Sequence, residues 1–177
     1  MSNHYPGKGG FIVAQEISKE SLKEQARKKA HDYELQFHGC SQSILLAFQE
    51  LLGMEDELAF KAAGPLCAGL GMGKTCGALT GGMMVLGMKY GRTRIDEGLG
   101  GLFSGMFIAQ SMVQRFEQEY GTTACSEISR LDWTDSDAVI QAVNKPEFMA
   151  MCANVVGRTA EIVAEIIAEV DSHPTHP

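Results

Sequence analysis

The sequence predicts an all-α protein, a compact bundle of about six to eight helices around a central helical pair rich in glycine and methionine. Every clear apolar periodicity has the three- and four-residue spacing of a helix, and no segment alternates as a strand does. A chain of 177 residues with 45% hydrophobic content can bury a substantial core. We therefore expect 1–177 to form a single helical domain, with a core of about 18–170 and flexible ends at 1–17 and 171–177.

The first predicted helix carries an apolar stripe, which consists of Leu22, Ala26, Ala30, Tyr33 and Phe37. Ser21 and Glu24 have the spacing of a capping box for this helix. The remaining helices are predicted at 41–52, 55–63, 76–90, 100–120, 125–131, 135–143 and 144–170. Thr75 could cap the helix at 76–90, and Gly53, Gly91 and Gly121 would end three of the helices. The central pair is formed by 76–90 and 100–120.

Charge and hydropathy exclude several classes of protein. Fifteen Lys and Arg against 22 Asp and Glu give a net charge of −7, which argues against nucleic acid as a partner. No uncharged apolar run reaches the ~18 residues of a membrane span, and the start of the chain lacks a signal-peptide pattern. We therefore expect a cytoplasmic protein without membrane contacts. An acidic row at Glu161, Glu165 and Glu169 is either a solvated face or pairs with Lys23 and Arg27.

The chemistry of the sequence is concentrated in five cysteines, which are Cys40, Cys67, Cys76, Cys125 and Cys152. They are odd in number and sparse, with no CxxC or CxxCH spacing, so disulfide scaffolds, zinc fingers and ordinary haem attachment are excluded. Cys40, Cys76 and Cys125 lie at predicted helix starts, where unpaired N–H groups favour a thiolate. Cys76, beside Lys74, is the predicted nucleophile with a lowered pKa. Cys152 lies within the apolar stripe of the last helix.

The glycines around Cys76 need a physical reason, because glycine inside a helix costs ~1 kcal/mol relative to alanine. Close approach between helices or to a cofactor would supply one. Lys74 and Gly77 are the candidates for contact with a cofactor or a bound sulfide. The segment 68–75 nearly spells a phosphate-binding loop, but its first glycine is replaced by Ala68 and a predicted helix precedes it. His38 could be a base or a ligand, although a histidine at a helix end is the favoured interpretation.

Two segments of the chain carry a motif. They are Gly39-Cys40-Ser41-Gln42-Ser43-Ile44-Leu45 and the later Thr75-Cys76-Gly77-Ala78-Leu79-Thr80-Gly81. Together they resemble the C-GCAxxG-C-C family of small redox proteins. Residues 76–81 match the family's CGAxxG motif, Cys40 matches its upstream cysteine, and Cys125 and Cys152 match its downstream ones. The resemblance covers about 37–163, and Cys67 is extra to the pattern. Selenocysteine at a cysteine position in some members implies redox chemistry. Similarity of the family to part of split-Soret cytochrome c implies a scaffold suited to electron transfer.

Two functions are compatible with these residues. In the first, Cys76 and a second cysteine, with Cys40, Cys125 and Cys152 as candidates, cycle between dithiol and disulfide, which would make the protein a thiol redox protein or an oxidoreductase. Cys67 could pair with Cys76, supply an extra ligand or only line the loop. In the alternative, Cys40, Cys76, Cys125 and Cys152 hold an iron–sulfur cluster or another metal, with a site that could lie across a homodimer interface. Both need an unidentified redox partner protein. We expect these four cysteines to converge on one site to which Cys67 is dispensable.

Overall fold

The computed structural model describes residues 19–173, and eight α-helices dominate this part of the chain. They are α1 Lys19–Phe37, α2 Cys40–Leu52, α3 Glu57–Ala63, α4 Gly77–Tyr90, α5 Gly98–Tyr120, α6 Cys125–Ser129, α7 Ser136–Val143 and α8 Pro146–Ser172. The described residues contain no strand, only one isolated antiparallel bridge between Thr75 and Ala124. The all-α prediction is therefore confirmed. The predicted flexible ends lie outside the described residues at 1–17 and 174–177, whereas 171–172 continue α8.

Local sequence signals explain most helix ends. The Asp56 side chain accepts a hydrogen bond from the Ala59 amide and starts α3, so this helix begins two residues later than predicted. Asp135 caps α7 in the same way. Gly53 and Gly121 end α2 and α5 in the left-handed conformation, as their positions predict.

Two predicted caps are wrong. The capping box at Ser21 fails because α1 already begins at Lys19, and Ser21 lies inside the first turn, where its hydroxyl accepts a hydrogen bond from Gln25. At the start of α4, Cys76 rather than Thr75 is the residue that precedes the helix. Both errors come from placing a boundary by residue type alone, which cannot resolve shifts of one or two residues.

The long helices α1 and α8 lie against each other and form the most extensive contact of the bundle. Gly157 permits this approach, since a Cβ there would lie 3.1 Å from the Arg27 carbonyl oxygen. Ion pairs flank the seam: Arg27 bonds Glu161 at 2.6 Å, and Lys23 lies 3.2 Å from Glu165. These contacts confirm the pairing with the first helix for Glu161 and Glu165, whereas Glu169 pairs with Arg115 of α5.

The buried stripe of α1 differs from the predicted one at its C-terminal end. Leu22, Ala26, Ala30 and Glu34 are buried, whereas Phe37 is 65% exposed and Tyr33 is only partly buried. A straight helix keeps residues four apart on one face, so the stripe continues from Ala30 to Glu34. The sequence analysis followed the aromatic residues and passed over the carboxylate.

Helix α4 occupies the centre of the bundle, between α2 on one side and α5 and α8 on the other. A Cβ on Gly81 would lie 2.5 Å from the Ser41 carbonyl oxygen, so the backbones of α2 and α4 touch there. On the other face, a Cβ on Gly82 would lie 2.9 Å from Met112 Cε and equally close to Val163. Close helix packing is therefore the reason for these glycines.

The N-terminal part of α5 presents many large apolar side chains to solvent. The exposed ones, together with one in the preceding turn, are Ile95, Leu99, Leu102, Phe103, Met106 and Phe107. Further along the helix, Met112 and Phe116 are fully buried, so α5 enters the core only in its second half. Within 19–173, no helix is both long enough and apolar enough to span a bilayer.

The Gly81 contact provides a test of the central packing. We expect Gly81→Ala to lower the free energy of unfolding by about 1–3 kcal/mol, because its Cβ meets the rigid backbone of α2. The matched control is Gly87→Ala in the same helix, where a Cβ meets no atom within 4 Å. That variant should be neutral or more stable by up to ~1 kcal/mol. Urea denaturation measures both, and equal effects would contradict the proposed contact.

Candidate functional site

All five cysteines line one cavity of about 130 Å³. The cavity has room for several water molecules or one small organic molecule. Much of the remaining wall is apolar and comes from α6 to α8, including Ile128, Trp133, Phe148, Met149, Val155 and Val156. Exposed His38 also lines the cavity, so solvent reaches it on that side. The structure thus brings Cys40, Cys76, Cys125 and Cys152 together and adds Cys67.

A short backbone pairing places Cys76 beside Cys125. The Cys76 amide donates to the Thr123 carbonyl at 2.8 Å, and the Cys125 amide donates to the Lys74 carbonyl at 2.6 Å. These bonds enclose the Thr75–Ala124 bridge. Since α4 and α6 each start directly after it, the pairing brings the N-termini of two distant helices together.

The loop between Cys67 and Cys76 makes a left-handed turn. Ala68, Gly69, Leu70 and Gly71 have φ angles of 55°, 59°, 62° and 68°. Gly69 is also sterically required, because a Cβ would lie 2.8 Å from Cys125 Cβ. The glycine-rich sequence therefore reflects an unusual backbone path that returns the chain to the cavity.

Cys67 lies at the N-terminus of α2, next to Cys40. Its sulfur accepts hydrogen bonds from the Cys40 thiol and from the backbone amides of Ser41 and Gln42. The Ser41 hydroxyl donates to the Ala63 carbonyl at 2.7 Å and lies 2.9 Å from Cys67 Sγ, a contact in which either atom can be the donor. A helix N-terminus therefore acts on a thiol that the helix itself does not contain.

This environment separates the pKa values of the two thiols. The Cys40 hydrogen bond is the main cause that lowers the pKa of Cys67 to about 5, and the contacts from Ser41 and Gln42 add to it. Donation to Cys67, burial and nearby Glu34 raise the pKa of Cys40 well above 9.0. The lowered pKa of Cys67 and the raised pKa of Cys40 form the asymmetry expected of an attacking cysteine and its partner.

Cys76 and Cys125 form a second, more buried pair. Hydrogen bonding to Cys125 and burial raise the pKa of Cys76, although the Ala78 and Leu79 amides act in the opposite direction. The same bond from Cys76 lowers the pKa of Cys125. The expectation that Cys76 has a lowered pKa is therefore wrong, because its helix N-terminus does not offset burial beside another thiol.

The other predicted site residues have less direct roles. Burial, with Glu34 and Cys76 nearby, raises the pKa of Cys152 to about 12. Lys74 is exposed, and its backbone rather than its ammonium group serves the site. A Cβ on Gly77 would overlap Cys40 Sγ and lie 3.1 Å from Cys67 Cα. Gly77 therefore accommodates the first thiol pair.

Glu34 adds a buried carboxyl group to the same cavity. It is 4% exposed and accepts hydrogen bonds from the Ser43 hydroxyl at 3.0 Å and from the Gly39 amide. Burial is the main cause that raises its pKa to about 7, and Cys67 adds to the effect. His38, also on the wall, has its Nδ1 atom 3.1 Å from the Glu34 carbonyl oxygen and so occupies the helix-end position expected of it.

Among the described residues, the thiols form no ready-made site for a metal or an iron–sulfur cluster. Such a cluster needs several ligands that point to a common centre. Within the described part of the chain, no group of three or more His, Cys, Asp or Glu side chains has a geometry that could hold a metal ion. The cysteines instead associate two by two, as Cys40–Cys67 and Cys76–Cys125.

The comparisons agree with this concentration of thiols. A family model described as "Putative redox-active protein (C_GCAxxG_C_C)" matches residues 38–166 of the 177-residue chain. No curated protein and no solved structure gives a significant match. The matched segment holds all five cysteines, whereas Glu34 precedes it.

The sequence analysis left the role of Cys67 open and missed Glu34, for different reasons. Cys67 stands outside the family pattern, and no local periodicity reveals that its loop folds back onto α2. Glu34, by contrast, follows Leu22, Ala26 and Ala30 at a regular four-residue interval. Strict use of helical periodicity would have identified a carboxylate on the buried face.

The separated pKa values predict which thiol reacts first. At pH 7 we expect iodoacetamide to alkylate Cys67 about 100-fold faster than Cys152, because the far larger thiolate fraction of Cys67 outweighs its lower intrinsic nucleophilicity. Timed labelling followed by peptide mass spectrometry measures both rates in one sample. Urea-unfolded protein is the control, in which the rates should converge. Faster labelling of Cys152 in the folded protein would refute the assignment.

Glu34 should make stability depend on pH. Its pKa rises from 4.5 to about 7 in the folded state, so the unfolded chain ionises first as pH rises and the folded state loses stability over that interval. The total loss of folding free energy across this pH interval is roughly 3 kcal/mol, at about 1.4 kcal/mol per pKa unit. We therefore expect Glu34→Gln to gain stability relative to wild type between pH 4.5 and 8.5, measured by urea denaturation.

Glu50→Gln is the matched control, since Glu50 is an exposed carboxylate whose pKa is lowered mainly by its bond to Lys29. Removal of this charge should lower the free energy of unfolding at pH 8.5, an effect opposite in sign to that of Glu34→Gln. A Glu34→Gln difference that does not change with pH would show that Glu34 is not held in the strained, buried state inferred here.

Proposed function

Because this chain belongs to the C_GCAxxG_C_C family, we propose that it is a thiol–disulfide redox protein in which Cys67 and Cys40 form the reactive pair. The observation that carries the proposal is the position of Cys67 at the start of α2, where its Sγ atom lies 2.9 Å from the Ser41 hydroxyl. Hydrogen bonds from the Cys40 thiol and from two backbone amides lower the pKa of Cys67 there. Thiolates, not thiols, attack disulfides. Cys67 therefore replaces Cys76 as the proposed nucleophile.

The reaction proceeds in two exchange steps. The Cys67 thiolate attacks one sulfur of a substrate disulfide, which forms a mixed disulfide and releases one substrate thiolate. The Cys40 sulfur then attacks Cys67 Sγ, which forms the Cys40–Cys67 disulfide and releases the second substrate sulfur. Two electrons pass from the cysteine pair to the substrate. An external dithiol reductant reverses the change and completes the cycle.

Cys76 and Cys125 form the second proposed pair, with the roles assigned by the same principle. Cys125 has the lowered pKa and serves as the nucleophile, while Cys76 resolves the intermediate. Because both residues are buried, this pair undergoes thiol–disulfide exchange more readily with thiols inside the cavity than with a large protein. Cys152 lies within electrostatic range of Cys76 and Cys125, so its sulfur could attack a disulfide formed between them and become part of a new disulfide.

The cavity favours a small or narrow substrate. Its wall beside the thiols is apolar and its volume is about 130 Å³, which admits a small molecule or one apolar side chain. A cytoplasmic, reducing environment would keep the five cysteines as the free thiols seen in the structure. An exposed disulfide of a partner protein could reach Cys67 and Cys40 from the side of His38.

Oxidation of the full-length protein tests the pairing. We expect excess oxidised glutathione, followed by acid quenching and peptide mapping, to yield Cys40–Cys67 and Cys76–Cys125 disulfides. Cys67→Ser should abolish the first disulfide and leave the second, and Cys125→Ser should do the reverse. Scrambled pairing that involves Cys152 equally with the others would contradict the two-pair assignment.

Anaerobic purification separates this proposal from the iron–sulfur alternative. Metal analysis and an absorption spectrum should show no stoichiometric iron or sulfide in protein with five titratable thiols. Iron that is lost in each of the Cys40→Ser, Cys76→Ser, Cys125→Ser and Cys152→Ser variants would instead establish a cluster, and the disulfide proposal would be abandoned.

A further inference from the structure

Glu34 is a buried carboxyl group on the wall of the cavity that the cysteines line. It lies on the face of α1 that packs into the bundle, at the end of an otherwise apolar stripe. Its hydrogen bonds come from Ser43 and the Gly39 amide, and among residues 19–173 no Lys or Arg approaches it within ion-pair distance. Burial of a carboxylate without a cation is costly, and such groups are concentrated at functional sites.

The groups that face Glu34 are mainly thiols. Cys40 of α2, Cys67 of the segment after α3, Cys76 directly before α4 and Cys152 of α8 line the same cavity as Glu34. Ionised Glu34 raises the pKa of Cys40 and of Cys152, and the Cys67 thiolate raises that of Glu34 in return. His38 is the other titratable group on this wall, and its Nδ1 atom bonds the Glu34 backbone.

We propose that Glu34 is the proton acceptor for the Cys40 thiol when the Cys40–Cys67 disulfide closes, and the proton donor when it opens. This inference rests on the thiol–disulfide function proposed above. It assigns the carboxyl group a task that neither the family motif nor the hydrogen-bond network of the fold explains.

The step balances in atoms and electrons. As Cys40 Sγ attacks Cys67 Sγ in the mixed disulfide, its proton passes to the Glu34 carboxylate, directly or through one water in the cavity. The bond between Cys67 and the substrate sulfur breaks, and the substrate leaves as a thiolate. Glu34 then returns the proton to that thiolate or to solvent. The cysteine pair has lost two electrons, and the substrate disulfide has gained them.

Other groups near Cys40 are poorer acceptors. Backbone amides at the start of α2 can only donate, and they already bond Cys67. His38 is exposed at the edge of the cavity, and because its Nδ1 atom faces the Glu34 carbonyl oxygen, only its Nε2 atom is left as an acceptor. Cys67 accepts the Cys40 proton in the resting pair, but it loses this capacity once its sulfur is bonded to the substrate.

Proton transfer and simple electrostatics predict opposite effects of Glu34→Gln. If Glu34 acted only through its charge, its neutralisation would lower the pKa of Cys40 and accelerate disulfide closure. If Glu34 accepts the proton, neutralisation removes the acceptor and slows closure. The sign of the rate change therefore separates the two roles, and glutamine preserves the shape and an acceptor for Ser43.

The experiment follows the two exchange steps in the full-length protein. Reduced protein is mixed rapidly with oxidised glutathione, quenched in acid, and analysed for the Cys67–glutathione adduct and the Cys40–Cys67 disulfide from pH 5.5 to 9. In wild type we expect the closure rate to rise with the ionisation of Glu34 near pH 7 and then level off. In Glu34→Gln we expect closure to slow about 100-fold at pH 8 while the adduct forms at a nearly unchanged rate.

Two further variants test whether the effect comes from proton acceptance by Glu34. Glu34→Asp should restore part of the closure rate and the levelling at high pH, because it restores an acceptor. Glu50→Gln, which neutralises an exposed carboxylate on α2, should change neither step. If Glu34→Gln does not fold, as judged by circular dichroism, the wild-type profile alone decides, since no inflection near pH 7 would overturn the proposal.

The outcomes distinguish this inference from the function on which it rests. If wild type forms no Cys40–Cys67 disulfide, the thiol–disulfide function itself fails. If the disulfide forms but Glu34→Gln closes it at the wild-type rate or faster, only the role of Glu34 is refuted.

Discussion

The close approach of α2 and α4 is the constraint on which the rest of the site depends. Gly77 and Gly81 have no Cβ, so the backbone of α4 can lie against Ser41 and beneath the Cys40 sulfur. This contact brings the N-termini of both helices to the same end of the bundle. The loop from Cys67 must then connect them across a short distance, and its left-handed turn is the result. Larger residues at these two positions would separate the helices and the thiols with them.

The two thiol pairs use helix N-termini in different ways. In the first pair, amides of α2 stabilise the sulfur of Cys67, which lies on another segment of the chain. In the second, amides of α4 point at Cys76, which directly precedes that helix, but burial next to Cys125 has the larger effect. The bond between the two thiols has the largest effect in both pairs, because it lowers the pKa of Cys67 and of Cys125 and raises that of Cys40 and of Cys76.

Most of the fold and part of the site could be predicted from the sequence. Apolar spacing and glycine stops located the helices within about two residues, because both signals are local. Cys40, Cys76 and Cys125 were placed at or next to helix starts for the same reason. The importance of Cys67 could not be inferred, since it depends on a tertiary contact between a loop and α2. Glu34 was overlooked because aromatic residues at 33 and 37 suggested a different apolar face, although regular four-residue spacing indicated the buried one.

The loop between Cys67 and Cys76 has a consequence for the unfolded chain as well as for the site. Each end of this segment carries one cysteine of a different pair, and the partners, Cys40 and Cys125, begin separate helices. Oxidation of both pairs would tie the segment to α2 at one end and to α6 at the other. A cross-link of this kind typically stabilises a protein by about 2–4 kcal/mol by restricting the unfolded ensemble. The oxidised protein would therefore resist unfolding and proteolysis better than the reduced one. Its lifetime would then depend on the redox state of its surroundings.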